Sequence, residues 1–449
     1  MLFDTIVGIA TLRGMSAINV VRVSGSDAIS AVASIFRGRD LNVVASHTVT
    51  YGHIVEDGNV VDEVMVAVFR EPKSFTVENV VEISTHGGFL IPEKIVALLI
   101  ASGCRLAEPG EFTKRAYLNG RIDLSQAESV MDVINAKTAT QLHIANQGLD
   151  GRVSALVNAL QQDILAIVAA IEVNIDYPEY DDAVVMTNVV LAPQLEAIGN
   201  RIASTLKKSE TGRIVREGVK GVIVGKPNVG KSSLLNTLLR EEKAIVTEVP
   251  GTTRDLVEGE LNLGGIVLKL IDTAGIRDTD DVVESIGIAR SRKAMAEADL
   301  ILLVLDQSRS LTEMDAKLLA TTKDRVRIVV GNKVDLGKYA DAGGVPMIDV
   351  SAKDHTGIEA LETEVKRLFV DEQIIASGDV LIANVRHIGK LREAGAAIAD
   401  ALGACARRLP VDMIEIDVRR AWESLGEITG ETGSESLINA LFSRFCLGK

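Results

Sequence analysis

The chain is expected to be multidomain: an α+β region first, then a helical region discontinuous in sequence, with an α/β domain inserted into it. Three observations predict this. Short apolar strands alternate with turn clusters up to residue 118; from Leu124 the apolar period becomes three and four, and it resumes at Ile382; between these stretches a Gly-rich loop follows directly on an apolar strand. The expected boundaries are 1–118 for the N-terminal domain, 119–215 and 373–449 for the two helical parts, and 216–372 for the insertion.

In the first region, residues 18–23, 64–69 and 80–84 read as strands and 91–99 as an apolar helix. Leu149, Val153, Leu156, Leu160 and Ile164 recur as one face of a long helix. That helix is expected to break in Asp176-Tyr177-Pro178-Glu179-Tyr180-Asp181-Asp182, and another to begin over 191–207. After the insertion, 382–402 and 411–425 resume helical spacing. Neither helical set alone supplies a complete core, so the two are expected to pack together. There is no internal repeat and no low-complexity linker.

The insertion carries the chemistry. Gly225-Lys226-Pro227-Asn228-Val229-Gly230-Lys231-Ser232 fits G-x-x-x-x-G-K-S without mismatch, after the strand Val222-Ile223-Val224 and before a helical run through Leu234, Leu235, Leu238 and Leu239. Successive N–H groups and the helix dipole there face phosphate. In that geometry Lys231 contacts the β- and γ-phosphates and Ser232 ligates Mg²⁺. Downstream, Asn332-Lys333-Val334-Asp335 narrows the nucleotide to guanine. Asp335 can accept from both N1–H and N2–H, which adenine does not offer, while the Lys333 stem packs over the base. Asp272-Thr273-Ala274-Gly275 closes a strand over 266–271 and brings an aspartate to the Mg²⁺ shell and a glycine amide to the γ-phosphate. Ser351-Ala352-Lys353, after a strand over 347–350, buttresses the guanine. In Gly251-Thr252-Thr253-Arg254-Asp255 one threonine binds Mg²⁺ only when γ-phosphate is present, which makes a switch. The expected nucleotide set is Asn228, Val229, Gly230, Lys231, Ser232, Ser233, Thr247, Thr252, Thr253, Asp272, Thr273, Ala274, Gly275, Asn332, Lys333, Asp335, Ser351, Ala352 and Lys353.

Where many small GTPases place a water-orienting glutamine, this chain has Ile276. Another group must orient the water. Glu284, closing the acidic stretch 278–284, is one candidate; read from the residues alone such a glutamate is more often a solvated or capping carboxylate.

Composition bounds the rest. A chain of 449 residues has room for about three domains, and 47% hydrophobic residues suffice for packed cores. No uninterrupted apolar run of about 20 residues occurs, and Met1-Leu2-Phe3-Asp4 lacks a basic leader; a cytoplasmic protein with no membrane partner is expected. Cys104, Cys405 and Cys446 are too few and too scattered for a disulfide framework or a Cys-based zinc site. With 48 basic and 62 acidic residues the formal charge is −14, which opposes broad nucleic-acid binding. RNA contact should be local or carried by a partner. A ribosome-assembly switch GTPase, the alternative reading, calls for a basic RNA-binding appendage, which the acidic chain does not show; a binding regulator without an activity of its own calls for a defective switch, and each motif is intact.

The whole length resembles the tRNA modification GTPase family MnmE, also called TrmE. The carrying residues are Asp4-Thr5-Ile6-Val7, Val21-Arg22-Val23-Ser24-Gly25 and Thr85-His86-Gly87-Gly88. They continue in Pro109-Gly110-Glu111-Phe112-Thr113-Lys114-Arg115-Ala116 and Leu118-Asn119-Gly120-Arg121-Ile122-Asp123-Leu124. The guanine-nucleotide motifs follow, and then the tail Phe442-Ser443-Arg444-Phe445-Cys446-Leu447-Gly448-Lys449. The resemblance implies an N-terminal folate-binding domain, a discontinuous helical domain and an inserted Ras-like P-loop GTPase domain. It implies GTP-dependent addition of an aminomethyl-type group, carboxymethylaminomethyl included, to C5 of the wobble uridine of certain tRNAs. The implied partners are a second copy, joined through the N-terminal domains, and an MnmG-type protein that carries FAD, the two forming a heterotetramer. A tetrahydrofolate, 5-formyl or methylene, brings the one-carbon unit, and the G domains dimerise across the nucleotide in a potassium-dependent way.

The resemblance further implies a folate site of Arg22, Glu82, Arg121 and Lys449, where a carboxylate suits a pterin edge and cations suit the glutamate tail. It implies Mg²⁺ on Ser232 and Thr253, K⁺ on Asn228, Thr247, Val249 and Thr252, and Glu284 as the residue that positions water. Without it, Arg22 and Glu82 read as a structural ion pair, Arg121 as a surface charge, Lys449 as a chain end and His86 as a packed core histidine. Cys446 is a candidate one-carbon carrier or nucleophile, and equally a packed thiol. Ala10-Thr11-Leu12-Arg13-Gly14 departs from the Pro-Pro-Gly common in members, which frees that loop and adds a charge.

Overall fold

The computed structural model describes residues 4–176, 188–240, 257–263, 265–271, 294–369, 378–443, 445 and 448. The chain divides into two compact units, one of residues 1–131, 149–161 and 423–449, the other of 132–148 and 162–422.

The first unit is built on a seven-stranded sheet. In chain order its strands are β1 (Ile6–Ile9), β2 (Ile18–Ser24), β3 (Phe36–Gly38), β4 (Thr48–Glu56), β5 (Asn59–Phe69), β6 (Val80–His86) and β7 (Arg105–Leu106). Their spatial order is β3-β4-β5-β6-β2-β1-β7, antiparallel except for the parallel pair β1 and β7. Alternation selects the buried face: Val64, Val66 and Val68 are buried in β5 while Glu63 and Met65 are exposed. Val21, Val23, Val81 and Ile83 pack on the same core as Ile29 and Val32 of α1 (Ala28–Ile35) and Ile95 and Leu99 of α2 (Leu90–Ala101). Arg22 and Glu82, opposite each other in register, therefore stand on the other face of the sheet.

On that other face Ile6 packs with Phe112 and Phe75, and the Gly448 carbonyl accepts from Arg22. Helix α3 (Glu111–Leu118) leads to α4 (Leu124–Asn135), whose Leu124 and Ala127 pack with Phe442 and Phe445. The Phe442 and Phe445 rings lie 5.1 Å apart. Gly110 (φ +71) admits this approach, since a Cβ there would lie 2.5 Å from the Phe442 carbonyl oxygen; at Gly448 a Cβ would lie 2.3 Å from that of Ile9.

The long helix expected from Leu149 onward is two helices. Leu149 closes α5 (Ala139–Leu149), Gly151 turns the chain at φ +78, and α6 (Arg152–Asp176) restarts the count. Its buried stripe accordingly runs Val153, Val157, Leu160, Ile164, Val168 and Ile171, and Leu156 is only half-buried. By length and composition α6 could cross a membrane, but this stripe packs inside the protein.

In the second unit α7 (Asn188–Glu217) precedes a six-stranded sheet. Its strands are β8 (Val219–Val224), β9 (Val257–Leu263), β10 (Ile266–Ile271), β11 (Leu300–Asp306), β12 (Arg327–Asn332) and β13 (Met347–Val350). The order is β13-β12-β11-β8-β10-β9, with only β9 antiparallel. All seven residues of β11 are buried, because both faces are covered. On one face lie Leu234, Leu235 and Leu238 of α8 (Lys231–Arg240) and Leu361 and Val365 of α10 (Ile358–Phe369); on the other Leu318 and Leu319 of α9 (Glu313–Thr321). Beyond the insertion, α11 (Val385–Ala406) starts later than its spacing suggested, because Asn384 caps it by accepting from the Arg386 N–H. It packs along α7, where Gly199 and Gly395 let the backbones approach Ile398 and Ile202. Among the described residues the chain continues through α12 (Val411–Thr429) and α13 (Glu435–Phe442).

If Phe442 holds the chain end in place, Phe442→Ala should cost about 3–5 kcal/mol of local stability. Hydrogen exchange at the amides of α3 and α13 should then accelerate, while exchange in β11 stays unchanged.

Candidate functional site

Strand β8 lies between β10 and β11, so the chain leaves its carboxyl end where the strand order diverges. Open parallel sheets bind ligands at such a point. The following loop is shaped by two close approaches. A Cβ on Gly225 would lie 2.5 Å from the Val304 carbonyl oxygen, and one on Gly230 (φ +93) 2.2 Å from the Asn332 amide nitrogen. Asn228 also takes a positive φ, +63. Helix α8 then opens at Lys231 with its first-turn N–H groups pointed into the loop, a cradle for anions. Ser232 lies half-buried in that first turn and Ser233 is exposed on it.

Lys231 Nζ donates to the Lys226 carbonyl at 2.9 Å, and burial pushes its pKa below the ordinary lysine value. A half-buried ammonium resting on a carbonyl fits a phosphate oxygen. Lys226 is committed elsewhere, donating to Asp315 at 2.5 Å and to Thr312 Oγ1 at 3.2 Å. Burial works against the Asp315 carboxylate, but the bonds from Lys226 and Thr312 outweigh it and hold its pKa low.

At the base end, Asn332 closes β12, 1% exposed. Its Nδ2 donates to the Val229 carbonyl at 2.9 Å and its Oδ1 accepts the Ala352 N–H at 3.1 Å. Lys333 (φ +67) donates to the Asn228 carbonyl at 2.6 Å and to Asp306 Oδ2 at 2.9 Å. Ser351 Oγ donates to Asp335 Oδ1 at 2.8 Å and accepts from the Asp354 N–H. Thr237 of α8 donates to the Ala352 carbonyl at 2.7 Å, and Lys353 is exposed. Asn228, Val229, Gly230, Lys231, Asn332, Lys333, Asp335, Ser351 and Ala352 thus form one connected edge of the sheet. Thr247, Val249, Thr252, Thr253, Asp272, Thr273, Ala274, Gly275 and Glu284 lie outside the described residues.

Sequence reasoning missed Asp306, Lys226, Asp315 and Thr237. Asp306 had a signal, a carboxylate closing the wholly apolar run 300–305. The Lys226–Asp315 pair spans 89 positions and had none.

In the first unit a second cluster gathers. Arg22 reaches Glu82 Oε1 through both Nε and Nη2, at 2.8 Å each. Its Nη1 donates to the Gly448 carbonyl at 3.3 Å, and its guanidinium lies over the rings of Phe75 and Phe112 at 5.5 and 5.6 Å. Arg121 lies 4.9 Å over Phe75 and donates to the Phe75 carbonyl at 2.7 Å. Arg22, Glu82 and Arg121 are therefore together, beside the returning chain end; Lys449 and Cys446 lie outside the described residues. Phe75 was also missed. His86 is not a core residue: its ring is exposed and bonded through Nδ1 to the buried Asp62 at 2.7 Å, a contact that raises its pKa.

A phosphate cradle at the divergence point of a mostly parallel sheet, tied by Asn332 to the edge that carries Lys333, Asp335, Ser351 and Ala352, is the arrangement of a P-loop GTPase, an enzyme that hydrolyses GTP. The family model for the GTP-binding protein TrmE N-terminus matches residues 5–121, and that for the MnmE helical domain matches 124–446. A tRNA modification GTPase MnmE of Lactococcus lactis subsp. cremoris (strain SK11) is 52% identical over 449 residues, covering 100% of this chain and 99% of its own. Its counterpart in Bacillus cereus (strain ATCC 10987 / NRS 248) is 51% identical over 456 residues, covering both chains fully at 100%. The chain belongs to the MnmE family of tRNA modification GTPases. The G domain of the T. maritima FeoB iron transporter, 27% identical, overlays 36% of this chain and 99% of its own at a TM-score of 0.25, a value too low to add to the assignment.

The lowered Lys231 pKa sets a sign for nucleotide binding. Phosphate favours the charged ammonium and raises that pKa, so GDP affinity should be full below the free-protein value and fall as pH rises through it. Calorimetry from pH 7 towards the ordinary lysine range should show weakening with proton uptake, and Lys231→Ala should flatten the dependence.

Proposed function

We propose that this chain, with an FAD-dependent MnmG-type partner, couples GTP hydrolysis to addition of an aminomethyl-type group, carboxymethylaminomethyl included, at C5 of the wobble uridine of certain tRNAs. A tetrahydrofolate, 5-formyl or methylene, carries the one-carbon unit; FAD belongs to the partner alone. The observation that supports this best is the coexistence of two built sites in one chain: the guanine-nucleotide edge, and the Arg22, Glu82 and Arg121 cluster beneath the chain end. Both Arg22 contacts fall on Glu82 Oε1, so Oε2 is the oxygen offered to a pterin edge, while Arg22, Arg121 and Lys449 suit the glutamate carboxylates. Cys446, in the same tail, is the candidate nucleophile.

In the nucleotide site the loop amides, the α8 N-terminus and Lys231 hold the phosphates, and Asp335 reads guanine with Ser351, Ala352 and Lys353 beside it. The donor set fits hard cations: the Ser232 and Thr253 hydroxyls for Mg²⁺, and oxygens of Asn228, Thr247, Val249 and Thr252 for K⁺. When bound, these ions supply positive charge to the phosphate oxygens. Glu284 orients the attacking water, whose oxygen displaces GDP from the γ-phosphorus. Loss of the γ-phosphate releases Thr253 and the Gly275 amide, and the helical domain passes that motion to the folate and partner sites. The protein works in the cytoplasm as a homodimer joined through its N-terminal domains and, with the partner, as a heterotetramer. With a formal charge of −14, tRNA contact is local or carried by the partner.

Glu284→Ala should leave nucleotide affinity near normal and slow GTP turnover by about 10²-fold or more. For the unsubstituted chain, turnover should be markedly faster in KCl than in NaCl at equal ionic strength. Equal rates in the two salts would remove the potassium reading. The decisive experiment is mass analysis of wobble uridines from cells lacking this chain. Their aminomethyl-type modification should vanish, return with the unsubstituted chain and not return with Lys231→Ala; an unchanged spectrum would refute the proposal.

A further inference from the structure

We infer that Phe75 is the positioning residue of the N-terminal site, its ring setting where the guanidiniums of Arg22 and Arg121 stand. This rests on the folate reading above. Both cations lie over one ring, at 5.5 and 4.9 Å from its centroid. The negative π-face attracts each and offsets their mutual repulsion. Glu82 neutralises Arg22, whereas Arg121 pairs with no carboxylate among the described residues. One positive charge is thus left standing beside the ring, as a ligand with an anionic tail requires.

The segment that carries Phe75 is held in shape from several sides. Ser74 Oγ donates to the Glu78 carbonyl at 2.6 Å, Asn119 Nδ2 donates to the Thr76 carbonyl at 2.7 Å, and the Thr76 and Ser24 hydroxyls share a bond of 2.6 Å. The Glu78 carboxylate accepts from Ser24 Oγ at 2.7 Å and from Arg115, which is 3% exposed, at 3.1 Å. Inside this frame Val77 sits at φ +66, a left-handed conformation that is a genuine outlier for a β-branched residue. Backbone held in such a state persists only where the surroundings over-determine it, and such residues cluster at ligand clamps. Arg115 also donates to Asp4 and Glu111, so the frame is continuous with the start of β1 and with α3.

The test is a mutant cycle on the full chain, reading the Kd of 5-formyl-tetrahydrofolate by calorimetry. Phe75→Leu keeps apolar volume but removes the π-face, and should weaken binding by about tenfold or more, while Phe75→Tyr should stay within about threefold. In an Arg121→Ala background Phe75→Leu should cost clearly less than it does in the unsubstituted chain, because only its effect through Arg22 then remains. An additive loss, or a loss that tyrosine does not rescue, would make Phe75 a packing residue only and overturn the inference. So would an unchanged Kd in Phe75→Leu alongside a weakened Arg121→Ala, which leaves the folate reading standing. Failure of the unsubstituted chain to bind the folate would remove both.

Discussion

The buried amide of Asn332 is the contact on which the nucleotide site depends. One side chain closes two loops: its nitrogen holds the Val229 carbonyl of the phosphate loop and its oxygen holds the Ala352 N–H of the loop after β13. A Cβ on Gly230 would lie 2.2 Å from that amide nitrogen. Removing the amide would strand two buried backbone groups at about 1–3 kcal/mol each. More consequentially, the phosphate end and the guanine end would lose their common frame. Asp306 adds a second tie by fixing Lys333, which in turn holds Asn228.

The first unit follows the same logic with other means. Its sheet presents Arg22 and Glu82 on the face away from α1 and α2, where the rings of Phe75 and Phe112 and the Gly448 carbonyl meet Arg22. Close approach at Gly110 seats Phe442 and Phe445 against α3 and α4, and close approach at Gly448 brings its carbonyl to Arg22. A half-enclosed cluster results, with Arg22 16% exposed and Glu82 29%. Enclosure raises the worth of each charged contact to a ligand and lowers competition from water.

The motifs that define the class were legible because their chemistry is local. A phosphate cradle needs glycines at a fixed spacing just before a helix, and residues 225–232 carry that whole requirement. Strand and helix positions followed from period, and 266–271 and 347–350 appear in the structure as β10 and β13. The reading failed where two helices shared one apparent period: Gly151 interrupts the face drawn from Leu149, because a left-handed residue resets the helical phase.

By itself, then, the sequence determined the nucleotide chemistry, the element types and, through motifs spread along the chain, the family. Only the tertiary structure decided that Phe75 stands beneath Arg22 and Arg121, that Lys226 is spent on Asp315 and so is withdrawn from phosphate, and that His86 is exposed on a buried aspartate. These contacts join residues 24 to 89 positions apart, and they exist only after strand register and close packing are set. No local period encodes either one.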